Sequence, residues 1–180
     1  MSNVLYEKAA AENKNPMYYI YEDVGIKKDC KYFVETGTHF GGSVSVALEL
    51  GFEKVLSCEM MEDRYRHCME KFKDDDNVFL YLGNSVSSFP YMMKNIDQKS
   101  LFWLDAHAEG GGVPTFEELD FIKTLPTRNH SILIDDVPIY FAGEMKKKLK
   151  NKLLSINPNY TIVEYQIRDD VGYVMGAYVE

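Results

Sequence analysis

The chain is short of cysteine, has no long apolar run and has no excess of positive charge. Its three cysteines, Cys30, Cys58 and Cys68, lack CxxC spacing and make an odd number. Neither a disulfide framework nor a zinc site is indicated, and a reducing cytoplasm is the expected location. Cys58 lies in an apolar strand-like run, where a free cysteine packs as a small hydrophobe. No apolar stretch approaches the roughly 20 residues of a membrane-spanning helix, so no membrane partner is expected. The N-terminus, MSNVLYEKAAAENKN, is too polar for a signal peptide. The net charge of −8 argues against a nucleic-acid partner, because phosphate binding needs a basic footprint. Lys146, Lys147, Lys148, Lys150 and Lys152 form one basic cluster, which reads more simply as a solvated helix face. Repeats, linkers and low-complexity segments are missing too.

What remains is an ordinary folded composition: 180 residues, 46% hydrophobic, 27% charged and 13% aromatic. Residues 1–31 read as an N-terminal helix and arm. The helix spans 2 to about 13, with Ser2 or Asn3 as its cap. The aromatic stretch NPMYYIYEDVG reads as a mobile lid or a packed arm. Residues 32–180 form a single domain, large enough for a sheet covered by helices. Strand-like runs occur at Tyr32–Glu35, Lys54–Glu59, Val78–Leu82, Leu101–Asp105 and Ser131–Asp135. Helical patterns near Ser43–Leu50, Asp63–Phe72, Val86–Asn95 and Phe116–Thr124 alternate with them, which implies a parallel sheet. After a Lys-rich helix, Tyr160–Arg168 and Gly172–Val179 are two β-rich runs joined by a tight turn at Asp169-Asp170, and so antiparallel. The expected fold is α/β: a Rossmann-like, doubly wound, seven-stranded sheet with helices on both faces. Five strands are parallel and a C-terminal antiparallel hairpin closes it.

In such a sheet the ligand lies across the carboxyl ends of the strands. The first strand runs into YFVETGTHFGGS, where Glu35 precedes Gly37, Thr38, Gly41, Gly42 and Ser43. Glycines admit a ligand close to the backbone, and the following helix offers free N–H groups. A carboxylate at that tip suits ribose hydroxyls or a cation and repels phosphate, which points to S-adenosylmethionine (SAM). Glu59 ends the second strand 24 residues past Glu35, where a ribose-binding carboxylate belongs; it reads alternatively as a helix-capping acid. Asn84 and Ser85 follow the third strand and suit an adenine edge or a helix N-cap. Asp105 ends the fourth strand and completes the cofactor-binding set.

Asp105, Asp135 and Asp136 form a second constellation in WLDAH and ILIDD. Three carboxylates at adjacent strand tips repel one another unless a cation sits between them. All-oxygen ligation suits Mg²⁺, with Mn²⁺ as an alternative. Such an ion lowers the pKa of a bound hydroxyl. Asp135 or Asp136 reads otherwise as a cap for the next segment. His107 precedes the glycine loop Glu109–Gly112 and is the candidate general base, or else a packing residue. Asp105 and His107 are thus the catalytic candidates. His39 is placed to face the site, whereas His67 and His130 read as structural. Tyr18, Tyr19, Tyr21 and the segment Pro138–Phe141 offer aromatic faces for a sugar, or simply pack.

The pattern E-x-G-x-x-x-G-G-S from Glu35 to Ser43 resembles the Mg²⁺-dependent macrolide-sugar O-methyltransferases and the related cephalosporin hydroxylase group. The strand-tip acids also resemble the metal ligands of that group and of catechol O-methyltransferase. The resemblance spans roughly residues 32–137 and implies a class I SAM-dependent methyltransferase. It implies that Asp105, Asp135 and Asp136 hold the metal, with His107 as base, and that the methyl acceptor is a hydroxyl of a sugar or other small glycan-type molecule. The chain departs from the family pattern in lacking a G-x-G-x-G core and in being shorter. The rival readings are a SAM-fold binding module without catalysis and a metal-dependent hydrolase suggested by DAH before Glu109. An NAD-linked oxidoreductase is disfavoured because G-x-G-x-x-G is missing. The tyrosine-rich edges and C-terminal strands are candidate surfaces for a homo-oligomer.

Overall fold

The computed structural model describes residues 4–107, 112–166 and 173–180. The proposed caps Ser2 and Asn3, the start of the glycine loop at 109–111 and the Asp169-Asp170 turn lie outside the described residues. Three helices come first: α1 (Val4–Glu12), α2 (Met17–Tyr21) and α3 (Val24–Lys27). Then β1 (Tyr32–Thr36), α4 (Gly42–Glu49), β2 (Lys54–Glu59), α5 (Glu62–Lys71) and β3 (Val78–Leu82) alternate. The chain continues through α6 (Ser85–Met93), β4 (Ser100–Leu104), α7 (Thr115–Thr124), β5 (Ser131–Ile134) and α8 (Val137–Tyr140). It closes with α9 (Glu144–Ile156), β6 (Thr161–Gln166) and β7 (Tyr173–Tyr178).

All seven strands join one sheet in the order β3-β2-β1-β4-β5-β7-β6. The first five are parallel, whereas β7 is antiparallel to both β5 and β6. This is the sheet expected from the alternating runs and the C-terminal pair. β1, β4 and β5 are buried along their whole length, as parallel strands covered on both faces must be. Their apolar runs therefore show no alternation.

Side chains alternate between two apolar layers. On one face Phe33, Val55, Leu101, Trp103 and Leu133 pack with Val44 and Ala47 of α4 and with Ile20 and Tyr21 of α2. On the other, Val34, Leu56, Phe102 and Ile134 pack with Phe89 of α6, Leu119 and Ile122 of α7, and Leu149 and Leu153 of α9. The aromatic arm belongs to the first layer. Tyr21 is fully buried, its ring 5.1 Å from Phe33 and 5.5 Å from Trp103. The arm is packed rather than a lid. Strand order reverses between β1 and β4, and the tips of these two strands define where a ligand can enter.

Candidate functional site

A cavity of about 920 Å³ opens at the carboxyl ends of the strands. Of the residues expected there, Gly37, Glu59, Asn84, Ser85, Asp105 and His107 line it, as does His39. Glu35, Thr38, Gly41, Gly42, Ser43, Asp135 and Asp136 are not among its walls.

Glu35 stands apart because of strand alternation. With Phe33 it points to the face covered by α2 and α4, and it is 1% exposed. Ser57 Oγ donates to its Oε2 at 2.6 Å, and the hydroxyls of Thr38 and Ser57 lie 2.5 Å apart. Burial pushes the Glu35 carboxyl up to about 8, against hydrogen bonding from Ser57 and Ser43. It is an internal acid beneath the glycine turn, not a wall of the cavity.

The glycines of the turn serve packing. Gly37 has φ +90°, and a Cβ there would stand 2.8 Å from the Asp105 carbonyl oxygen. Gly41 adopts φ +70° as the N-cap of α4, with the Phe72 ring where its side chain would be. Only Gly42 is sterically free, its nearest atom being Asn15 Nδ2 at 3.8 Å. The first two let β1 and α4 close against β4 and α5.

Glu59 is 5% exposed and fixed by two backbone donors. His39 N–H donates to Oε2 at 2.7 Å, and Met61 N–H to Oε1 at 2.8 Å. The remaining lone pairs of each oxygen are free for hydroxyl donors. Asn84 is the N-cap of α6, its side chain accepting from Ser87 N–H at 2.9 Å, and it also lines the cavity. The capping and lining roles coexist. Ser85 opens α6 on the cavity wall.

Asp105 and His107 of the cavity wall converge with Asp136 beside it, the ligating atoms of all three within 4.8 Å of one another. His107 Nε2 lies 3.1 Å from Asp105 Oδ1 and 3.5 Å from Asp136 Oδ2. The hydrogen bond to Asp105 raises the His107 pKa, and burial raises that of Asp105. Tyr140 packs 5.1 Å from the imidazole. Asp135 is not part of this cluster. Its Oδ1 accepts the Asp136 N–H at 2.8 Å, and burial, then the nearby Asp105 charge, push it up to about 7. The cause is local: Asp136 takes φ +51°, so consecutive acids are sent in different directions at the start of α8. His107, expected as a base, thus stands where Asp135 was expected as a ligand.

Several contributors escape sequence reasoning. Met60, Met61 and Arg64 line the cavity beyond Glu59, and Val113 and Pro114 line it beyond the glycine loop. Their position just past a strand tip or loop was the available signal. Glu118 on α7 is 1% exposed although Glu117 and Asp120 flank it in an acidic helical stretch. Nothing in that pattern marks it.

The fold is that of the class I SAM-dependent methyltransferases. The chain resembles an O-methyltransferase from Bacillus cereus in complex with SAH, with TM-score 0.66 and 16% identity over 97% of this chain and 88% of that one. An rRNA methylase from Streptococcus thermophilus matches with TM-score 0.64 and 14% identity, over 93% of this chain and 98% of that one. The same sheet carries other chemistry: spermidine synthase from Thermotoga maritima matches with TM-score 0.62 and 12% identity, over 89% of this chain and 59% of that one. No family model and no curated protein matches the sequence. At these identities the likeness carries the fold, and the reaction rests on the site.

Proposed function

We propose that the chain is a SAM-dependent O-methyltransferase that acts on a hydroxyl of a sugar or other small glycan-type acceptor, with help from a divalent cation. The observation that carries this reading is one continuous cavity lined by Glu59 and by Asp105 and His107, which Asp136 joins in one cluster beside the wall. Glu59 supplies an oriented acceptor for ribose hydroxyls. The acidic lining favours the sulfonium of SAM, a cation, over phosphate-bearing cofactors. A volume of about 920 Å³ suits a cofactor and a small acceptor together.

Two carboxylates and one imidazole fit a divalent cation. The nitrogen donor favours Mn²⁺ over Mg²⁺, since Mg²⁺ prefers oxygen ligands throughout. When bound, such an ion lowers the pKa of a coordinated hydroxyl. The rest falls to the chain. The acceptor oxygen attacks the sulfonium methyl in line, the C–O bond forms as the C–S bond breaks, and uncharged SAH leaves. When it is not ligating, His107 takes the acceptor proton on Nδ1, since Nε2 faces Asp105 Oδ1 at 3.1 Å, and Asp105 favours the resulting imidazolium.

A small acceptor also fits the charge distribution. Lys146 and Lys150 share Glu164, and Lys152 pairs with Asp120, so three of the five lysines of the basic cluster have an acid partner within the fold. The buried free thiols of Cys30, Cys58 and Cys68 suit a reducing cytoplasm. The decisive experiment is isothermal titration with SAM and with SAH, its demethylated product. Binding is expected for both, and Glu59→Ala is expected to weaken it about tenfold or more, since hydrogen bonds to a charged group contribute about 1.5–3 kcal/mol. No heat with either ligand rejects the cofactor. Binding without methyl transfer to sugar hydroxyls leaves a SAM-fold binding module.

A further inference from the structure

The sheet has two edges, and they are built differently. β6 carries Glu164, ion-paired with Lys146 and Lys150 of α9, so charge guards that side. β3 at the other edge reads VFLYL, without a charged residue, a proline or a glycine. On it Phe79 is 43% exposed and Leu82 50% exposed. The backbone of β3 is half used. Asn77 C=O accepts the Val55 N–H and Gly83 N–H donates to Glu59 C=O, so the odd-numbered residues from 77 to 83 face β2. By alternation Val78, Leu80 and Leu82 turn their backbone groups away from the sheet. The Val78 N–H is taken within the preceding turn by Asp75 C=O, at 3.1 Å. Among the described residues the outward groups of Leu80 and Leu82 have no such turn partner.

We propose that β3 is a homodimer interface, pairing antiparallel with β3 of a second copy about a twofold axis at Leu80. In that register Leu80 lies opposite the second copy's Leu80, and Leu82 opposite its Val78. Leu80 N–H donates to Leu80 C=O and Leu82 N–H to Val78 C=O, each bond repeated by the twofold. Val78 N–H, already bonded to Asp75, needs no partner across the axis. The side chains agree with this register. Phe79 meets Tyr81 on the face packed by α6, and Val78, Leu80 and Leu82 meet their like on the other. Charge agrees as well. Asp74, Asp75 and Asp76 precede β3, and antiparallel pairing carries them to the far end of the second copy's strand. There α6 begins, and the free N–H groups of a helix start favour negative charge. Parallel pairing would instead set acids beside acids. A second copy is thus matched in hydrogen bonds, side chains and charge at one register. Pairing uses up the uncharged edge of each copy, so assembly stops at two. The strand runs on into Gly83, Asn84, Ser85 and Val86, so the interface borders the cavity.

The test reads assembly and backbone protection on the full chain. Sedimentation velocity is expected to show a species of twice the 20.8 kDa chain mass. In amide hydrogen exchange Leu80 and Leu82 are expected to be protected only at concentrations where that species forms. Phe79 and Tyr81, bonded to β2, are expected to stay protected throughout. Phe79→Lys and Leu82→Lys place a charge at the edge and are each expected to weaken dimerisation about tenfold or more, with circular dichroism unchanged. A chain that sediments as a monomer at every concentration used for exchange overturns the proposal. So does a dimer whose Leu80 and Leu82 amides exchange freely, because it forms on another face. A folded variant that dimerises normally overturns it too; if Leu82→Lys does not fold, Phe79→Lys decides by the same measure.

Discussion

At Gly37 a single missing carbon lets the tip of β1 rest on the backbone of Asp105. An alanine there meets both a left-handed φ of +90° and a carbonyl oxygen at 2.8 Å. Backbone strain and overpacking each cost about 1–3 kcal/mol, so Gly37→Ala is expected to destabilise by about 2 kcal/mol or more in urea unfolding. Gly42→Ala is the control. It meets only Asn15 Nδ2 at 3.8 Å within the first turn of α4, and is expected to stay within about 1 kcal/mol. The glycine motif was legible in the sequence, but the partner that makes each glycine necessary was not. The Asp105 backbone and the Phe72 ring come from distant segments. Glu118 was illegible for the same reason: on α7 it reads as a solvated acid, and only the packing of that helix against α6 and α9 buries it.

Secondary elements were read where their apolar pattern was long enough. The five parallel strands showed as unbroken apolar runs ending in polar residues, and β6 and β7 as two runs too close to be parallel. Helices α2, α3 and α8 span 5, 4 and 4 residues, too few for a helical period to emerge. The junction of β5 with α8 shows what pattern alone leaves open. The pair Asp135-Asp136 gave the right place, but only the left-handed turn at Asp136 decides which carboxylate meets His107. Asp136→Asn is therefore expected to weaken Mn²⁺ binding about tenfold or more, as loss of a charged ligand should. Asp135→Asn is expected to stay within about threefold in the same titration, followed by the electron paramagnetic resonance signal of free Mn²⁺. Equal losses would return Asp135 to the ligand set.

For the whole molecule, two buried groups shape stability against pH from opposite sides. His130 is 1% exposed, with Nδ1 accepting the Ser100 N–H at 3.0 Å, and burial lowers its pKa from 6.5 to about 4. The fold requires its neutral form. Its contribution is complete above pH 6.5 and is lost as pH falls through 4, by about 3 kcal/mol. Glu35 has the reverse sign. Burial raises it from 4.5 to about 8, so its contribution is complete below pH 4.5 and is lost as pH rises through 8. Urea unfolding across this range is expected to show a flatter acid limb for His130→Gln and a flatter alkaline limb for Glu35→Gln. Unchanged slopes would remove these groups as the cause. The seam between β1 and β4 has a kinetic consequence of its own. It pairs Tyr32 with Ser100 and Thr36 with Leu104, 68 residues apart, a wider separation than in any other strand pair of the sheet. Closing that loop carries the largest chain-entropy barrier of the sheet, and it must happen before Gly37 can reach Asp105. The cavity exists only where this seam is closed, because local β–α units paired without it leave Gly37 away from Asp105.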